Sequence, residues 1–98
     1  MFTGILELDV LLGDVRSLKQ KRAVVRPLVN EIRRTYLVAV AEAGHLDLHR
    51  RATIGVATVS ATAGHCVEVL EAVERFVAGR PEVELLSARQ RLVGDEDE

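Results

Sequence analysis

"FTGILELDVLLGDVRSLKQKRAVVRPLVNEIRRTY", residues Phe2–Tyr36, changes its hydrophobic period once, and the fold follows from where it does so. Phe2 to Leu12 alternates with period two. Phe2, Gly4, Leu6, Leu8, Val10 and Leu12 share one side of a strand, expected to face a core. Thr3, Ile5, Glu7, Asp9 and Leu11 share the other. Gly13-Asp14 breaks the strand, and Ser17 is placed to cap a helix. From Leu18 the spacing becomes helical, with Leu18, Val25, Leu28, Val29, Ile32 and Tyr36 on one face. Pro27 interrupts this pattern, because inside a helix it removes one hydrogen bond and crowds the carbonyl of Ala23. Either one kinked helix runs through it, the favoured reading, or Leu18–Arg22 forms a separate turn before a shorter helix.

The rest of the chain repeats the alternation of strand and helix. Leu37–Ala43 reads as a second strand and Gly44–Arg50 as a polar connection. A third strand, rich in β-branched residues, runs from Arg51 or Ala52 to Ser60. Ala63–Ala78 is a second helix with Cys66, Val69, Leu70, Val73, Phe76 and Val77 as its apolar stripe, stopped by Gly79 and Pro81. Val83 to about Val93 is the last strand. The order β-α-β-β-α-β predicts an α+β, ferredoxin-like sandwich. Its four-stranded antiparallel sheet carries two helices on one face and is open on the other. Residues 1–93 form the expected single domain, and 94–98 an acidic, flexible tail.

Composition narrows the possible functions. The chain has 98 residues, enough for one domain, and is 48% hydrophobic, enough for a core. No apolar run approaches the roughly 20 residues that span a bilayer. The N-terminus has no basic stretch followed by a small-residue cleavage site, and Cys66 is the only cysteine, so a cytoplasmic protein without disulfides is expected. The formal net charge is −2, yet it would be +2 without Asp95–Glu98. Such a tail can screen a basic surface within a Debye length of about 8 Å.

The positive charge is concentrated in Arg16–Arg34, which holds seven Lys or Arg and one acid, Glu31. On a helix, Lys19, Arg22, Arg26 and Arg33 form a stripe away from the apolar face, with Asn30 inside it. Such a stripe suits phosphate, since a guanidinium can make two hydrogen bonds to it. The plainer reading sets the stripe against Glu68, Glu71 and Glu74 of the second helix or simply in water, where exposed ion pairs contribute about 0–1 kcal/mol each. The open sheet face lacks the aromatics on which single-stranded RNA stacks. It offers Ile5, Ala39, Ala41, Gly55 and Ala57 instead, a small apolar patch suited to a second copy or another protein. His45, Asp47 and His49 alternate and would point the same way if extended, but a loop with no fourth ligand does not make a metal site. Glu7 and Asp9 read as solvated charge rather than a catalytic pair, and Cys66 as a small core residue. No enzyme motif, cofactor site or small-molecule substrate is expected.

Three segments carry a resemblance: "SLKQKR" (Ser17–Arg22), "VAEAGHLDLHRRATIGVA" (Val40–Ala57) and "FVAGRPEVELL" (Phe76–Leu86). Together they resemble the YlxP-like family of small bacterial proteins over nearly the whole chain. The most specific positions are Ser17, Leu18, Lys19, Lys21 and Arg22, then Ala41, Glu42, Asp47, Arg51, Ala52 and Gly55. The resemblance implies a ferredoxin-like sandwich. It also implies a place near translation, because genes of the family often neighbour those of initiation and ribosome-maturation factors. It implies no catalytic residues. His49-Arg50 stands where the family pattern has a Trp-Gln pair. The resulting expectation is a non-catalytic protein binding ribosomal RNA or a ribosomal subunit through Lys19, Lys21, Arg22 and Arg26, with Arg50 and Arg51 from the hairpin loop. The alternative is a module that homodimerises or docks a protein through the open sheet face.

Overall fold

The computed structural model describes residues 1–94; the acidic tail expected at Asp95–Glu98 lies outside them. The elements are β1 (Phe2–Leu12), α1 (Leu18–Tyr36), β2 (Ala39–Gly44), β3 (Arg51–Ser60), α2 (Ala63–Ala78) and β4 (Val83–Val93). All neighbouring strands are antiparallel, in the order β2-β3-β1-β4. The α+β sandwich expected from the period changes is therefore present.

Helix α1 starts where the sequence places it. The Ser17 hydroxyl accepts from the Gln20 N–H at 3.1 Å, and the Gln20 side chain accepts from the Arg16 N–H at 2.6 Å, so two otherwise orphaned donors are satisfied. The helix runs uninterrupted through Pro27, which faces solvent. It ends because Leu37 adopts the left-handed conformation at φ 54°, its N–H donating to the Arg33 carbonyl. That residue is thereby lost from the strand, and β2 begins at Ala39 rather than Leu37.

The core is built from alternate residues of the sheet and one stripe of each helix. Leu6, Leu8, Val10 and Leu12 of β1 meet Ile54 and Val56 of β3, Leu28 and Ile32 of α1, and Leu70, Val73 and Val77 of α2. Each such aliphatic side chain contributes about 1.5–3 kcal/mol on burial. Two positions of the α1 stripe differ from the sequence pattern. Leu18 is exposed, whereas Lys21 is only 2% exposed. Lys21 precedes Val25, Leu28 and Ile32 at four, seven and eleven residues, so helical geometry points it inward. Cys66 is buried, with its thiol donating to the Phe2 carbonyl at 3.6 Å.

The helices touch through Tyr36 and Phe76, whose rings meet edge to face at 5.8 Å, and through Arg80. Arg80 lies 5.2 Å over the Phe76 ring and pairs with Glu31 of α1 and with Glu82. The Glu82 carboxyl is held below its ordinary range, first by its own backbone N–H and then by the Arg80 guanidinium.

Candidate functional site

Two of the three segments that carry the family resemblance, Ser17–Arg22 and Val40–Ala57, meet in space. The Lys21 Nζ lies 2.7 Å from Glu42 Oε2 on β2 and donates to the His45 carbonyl at 2.7 Å. A residue expected to contact phosphate is instead turned into the domain, and it ties α1 to the start of the β2–β3 connection. Of the four α1 residues expected to contact phosphate, Lys21 is withdrawn and Lys19, Arg22 and Arg26 stay exposed.

Those three cations have no ion-pair partner among the described residues, the acids of α2 included. The electrostatic contact between the helices is Arg80 with Glu31, not a match of the basic stripe with Glu68, Glu71 and Glu74. Arg22 and Arg26, with Asn30 and Arg33, border a groove of about 410 Å³ between α1 and β2, and Val25, Val29 and Val40 also line it. Arg33 is partly engaged: it donates to Asn30 Oδ1 at 2.8 Å and to the Val40 carbonyl at 3.0 Å.

Arg50 and Arg51 do not join this surface. The Arg50 Nε donates to the carbonyls of Leu12 and Gly13, fastening the hairpin loop to the end of β1, and Arg50 lines a separate cavity of about 610 Å³ with Pro81, Glu82 and Glu84. Arg51 lies opposite Leu11 on the open sheet face, where its charge acts on Asp9. His45, Asp47 and His49 are not extended. Turns occupy this loop, with His45 at φ 58°, and its Nε2 turns towards Asp9 at 3.7 Å while Asp47 and His49 line another hollow. Among the described residues no three His, Cys, Asp or Glu side chains converge.

The small residues expected on the open face are contiguous there. Register places Ala39, Ala57 and Ile5 in one row and Ala41, Gly55 and Glu7 in the next. Gly55 fits against Ala43, whose Cβ lies 3.2 Å from where a glycine-replacing Cβ would sit. The two acids that β1 places on this face are each held by the neighbouring strands, through partners that lie up to 82 positions away in sequence and that β1 alone does not reveal. Glu7 pairs with Arg89 at 2.6 Å, and Asp9 accepts from Thr53 at 2.9 Å and from Ser87 at 3.2 Å.

The Asp9 carboxyl is thereby held below its usual range, chiefly by the Thr53 hydroxyl. A depressed carboxyl pKa adds stability above the ordinary Asp value, and this is lost as pH falls through the lowered one. Thr53→Val is therefore expected to cost about 1 kcal/mol at neutral pH and to have less effect once Asp9 is protonated in both forms. Urea unfolding of both proteins between about pH 6 and pH 2 checks this; a difference that does not shrink with acid would show that Thr53 acts through packing.

A small ferredoxin-like domain whose first helix carries an exposed basic face, with no converging set of three His, Cys, Asp or Glu side chains among its described residues, is the class defined by this geometry. The profile of the family described as "Protein of unknown function (DUF503)" matches residues 3–90. The chain is also 31% identical over 81 residues to the "Uncharacterized protein YlxP" of Bacillus subtilis (strain 168), covering 83% of this chain and 88% of that protein. The chain belongs to the DUF503, YlxP-like family.

Proposed function

We propose that this protein is a non-catalytic cytoplasmic RNA-binding domain that associates with ribosomal RNA or a ribosomal subunit. The contact runs along α1, through Lys19, Arg22 and Arg26 and into the groove beside β2. One observation carries this reading: three cations on successive turns of one exposed face lack partners among the described residues. Helical rise spaces Lys19 and Arg26 about 10 Å apart along the axis, a reach that spans neighbouring phosphates of a strand. No helix of the described residues is long and apolar enough to cross a membrane, which accords with a partner in solution.

Co-sedimentation with purified ribosomal subunits across a salt series tests this. Three or four phosphate contacts give a slope of about −2 to −3 in log affinity against log salt. Arg22→Glu/Arg26→Glu is expected to weaken binding at least about tenfold. Wild type remaining unbound at low salt, or a double variant binding as well as wild type, would refute the proposal. A second reading rests on the two contiguous rows of small residues on the open sheet face, which suit a protein partner. In the same experiment it would show as a complex that resists salt and is lost in Ala57→Glu.

A further inference from the structure

The two edges of the sheet are finished differently. The β2 edge is six residues long, carries an irregularity between Glu42 and Gly44, and has its Val40 carbonyl occupied by the Arg33 guanidinium. The β4 edge is eleven residues long, is hydrogen-bonded to β1 on one flank, and has no strand on the other among the described residues. From Leu86 onward it is exposed on both faces, and Leu86 and Leu92 are among the exposed apolar side chains. An edge of this length is a template for another strand unless its side chains forbid it.

We propose that β4 pairs with β4 of a second copy of this chain, in antiparallel register about a two-fold axis at Ala88. The register with β1 fixes which way each residue points. Glu84 lies opposite Leu11, Ser87 opposite Asp9, Arg89 opposite Glu7 and Arg91 opposite Ile5, all on the open face. Val83, Ala88 and Leu92, opposite Leu12, Leu8 and Gly4, point to the helix side. The irregularity between Asp9 and Val10 leaves Leu86 as the extra residue of a bulge. With that residue counted out, the axis at Ala88 brings Glu84 against Arg91 of the second copy and Arg91 against its Glu84. On the opposite face it brings Val83 against Leu92 twice, and Ala88, the smallest side chain of the strand, against itself.

Charge selects this register over its neighbours. Neither Glu84 nor Arg91 has an ion-pair partner of its own among the described residues, whereas Arg89 is already held by Glu7. Moving the axis to Arg89 opposes two guanidinium groups. Moving it to Ser87 shortens the ladder and sets Glu84 against Arg89 and Arg91 against Glu82, and Arg89 and Glu82 are both already engaged within their own chain. Charged edges usually discourage pairing, but here the two signs are placed so that each meets its opposite across the axis. The product is an isologous dimer with a continuous eight-stranded sheet and four helices on one face.

Sedimentation equilibrium of the full chain tests this with a charge-reversal cycle at two exposed residues. Wild type is expected to dimerise reversibly. Glu84→Arg and Arg91→Glu should each weaken the dimer about tenfold, because two symmetric attractions become repulsions. The combined Glu84→Arg/Arg91→Glu protein should recover it, and Ala57→Glu should leave it unchanged. A protein that stays monomeric up to about 1 mM overturns the proposal. So does a dimer indifferent to both single reversals, or one that Ala57→Glu abolishes, since that dimer would use the open sheet face.

Discussion

Replacing Glu42 by alanine is expected to remove about 3 kcal/mol of folding stability. The reason lies with its partner. Lys21 is 2% exposed, and its ammonium lies against Glu42 and the His45 carbonyl. Without Glu42 that positive charge stays buried, with the His45 carbonyl left to compensate it. Breaking one side of a buried pair leaves the other charge uncompensated, and that desolvation, rather than the lost attraction, dominates. Glu42→Gln keeps an acceptor at the same reach and should lose less. Lys21→Met/Glu42→Gln, which removes both charges and keeps the aliphatic stem, should recover most of the stability. Urea unfolding of the four proteins checks the set. If Glu42→Ala and the double variant are equally unstable, the pair is not what holds this corner together.

Leu70→Ala is expected to cost about 3 kcal/mol, as deletion of a wholly buried leucine does, and its interaction with Gly4 makes the effect diagnostic. Helix α2 crosses β1 so closely that a Cβ built on Gly4 would sit 2.9 Å from Leu70 Cδ1 and 3.2 Å from Cys66 Cβ. Gly4→Ala alone forces Leu70 off its position and should cost about 1–3 kcal/mol. In the double variant the new methyl group enters space that Leu70 has vacated. The two losses should therefore fall short of additivity by about 1 kcal/mol or more. Thermal or urea unfolding of the four proteins gives the coupling directly, and strict additivity would mean that α2 yields to the methyl group by shifting as a body.

The period changes along the chain made the elements legible, because strands and helices repeat their apolar residues at different intervals. Ser17 as a helix cap, Gly79 as a stop and the extended run of β3 follow from local chemistry, and local chemistry is what a sequence displays. The start of β2 was not legible, since nothing local distinguishes a leucine that closes a helix in left-handed conformation from one that opens a strand. Lys21 shows a deeper limit. Its spacing to Val25, Leu28 and Ile32 marks it as inward-facing, but a lysine is assigned to solvent until its counter-charge is known. That counter-charge is Glu42, on a different element. The same holds for Glu7 and Asp9, whose partners Arg89, Ser87 and Thr53 become neighbours only when the sheet forms. Lys19, Arg22 and Arg26 could be placed from the sequence because exposure requires no partner.

The hydrogen bond from Arg33 to the Val40 carbonyl makes the cationic face of α1 unequal along its length. Near the helix N-terminus a polyanion would meet side chains without ion-pair partners among the described residues, and their capture would leave the interior unchanged. At the other end, taking hold of Arg33 means withdrawing the stopper from the β2 margin and baring a main-chain oxygen. A strand of phosphates laid on this helix would therefore grip first and most firmly near Lys19 and Arg22 and loosen towards Arg33. Such contact would have a direction, fixed by Arg33, which also serves the sheet.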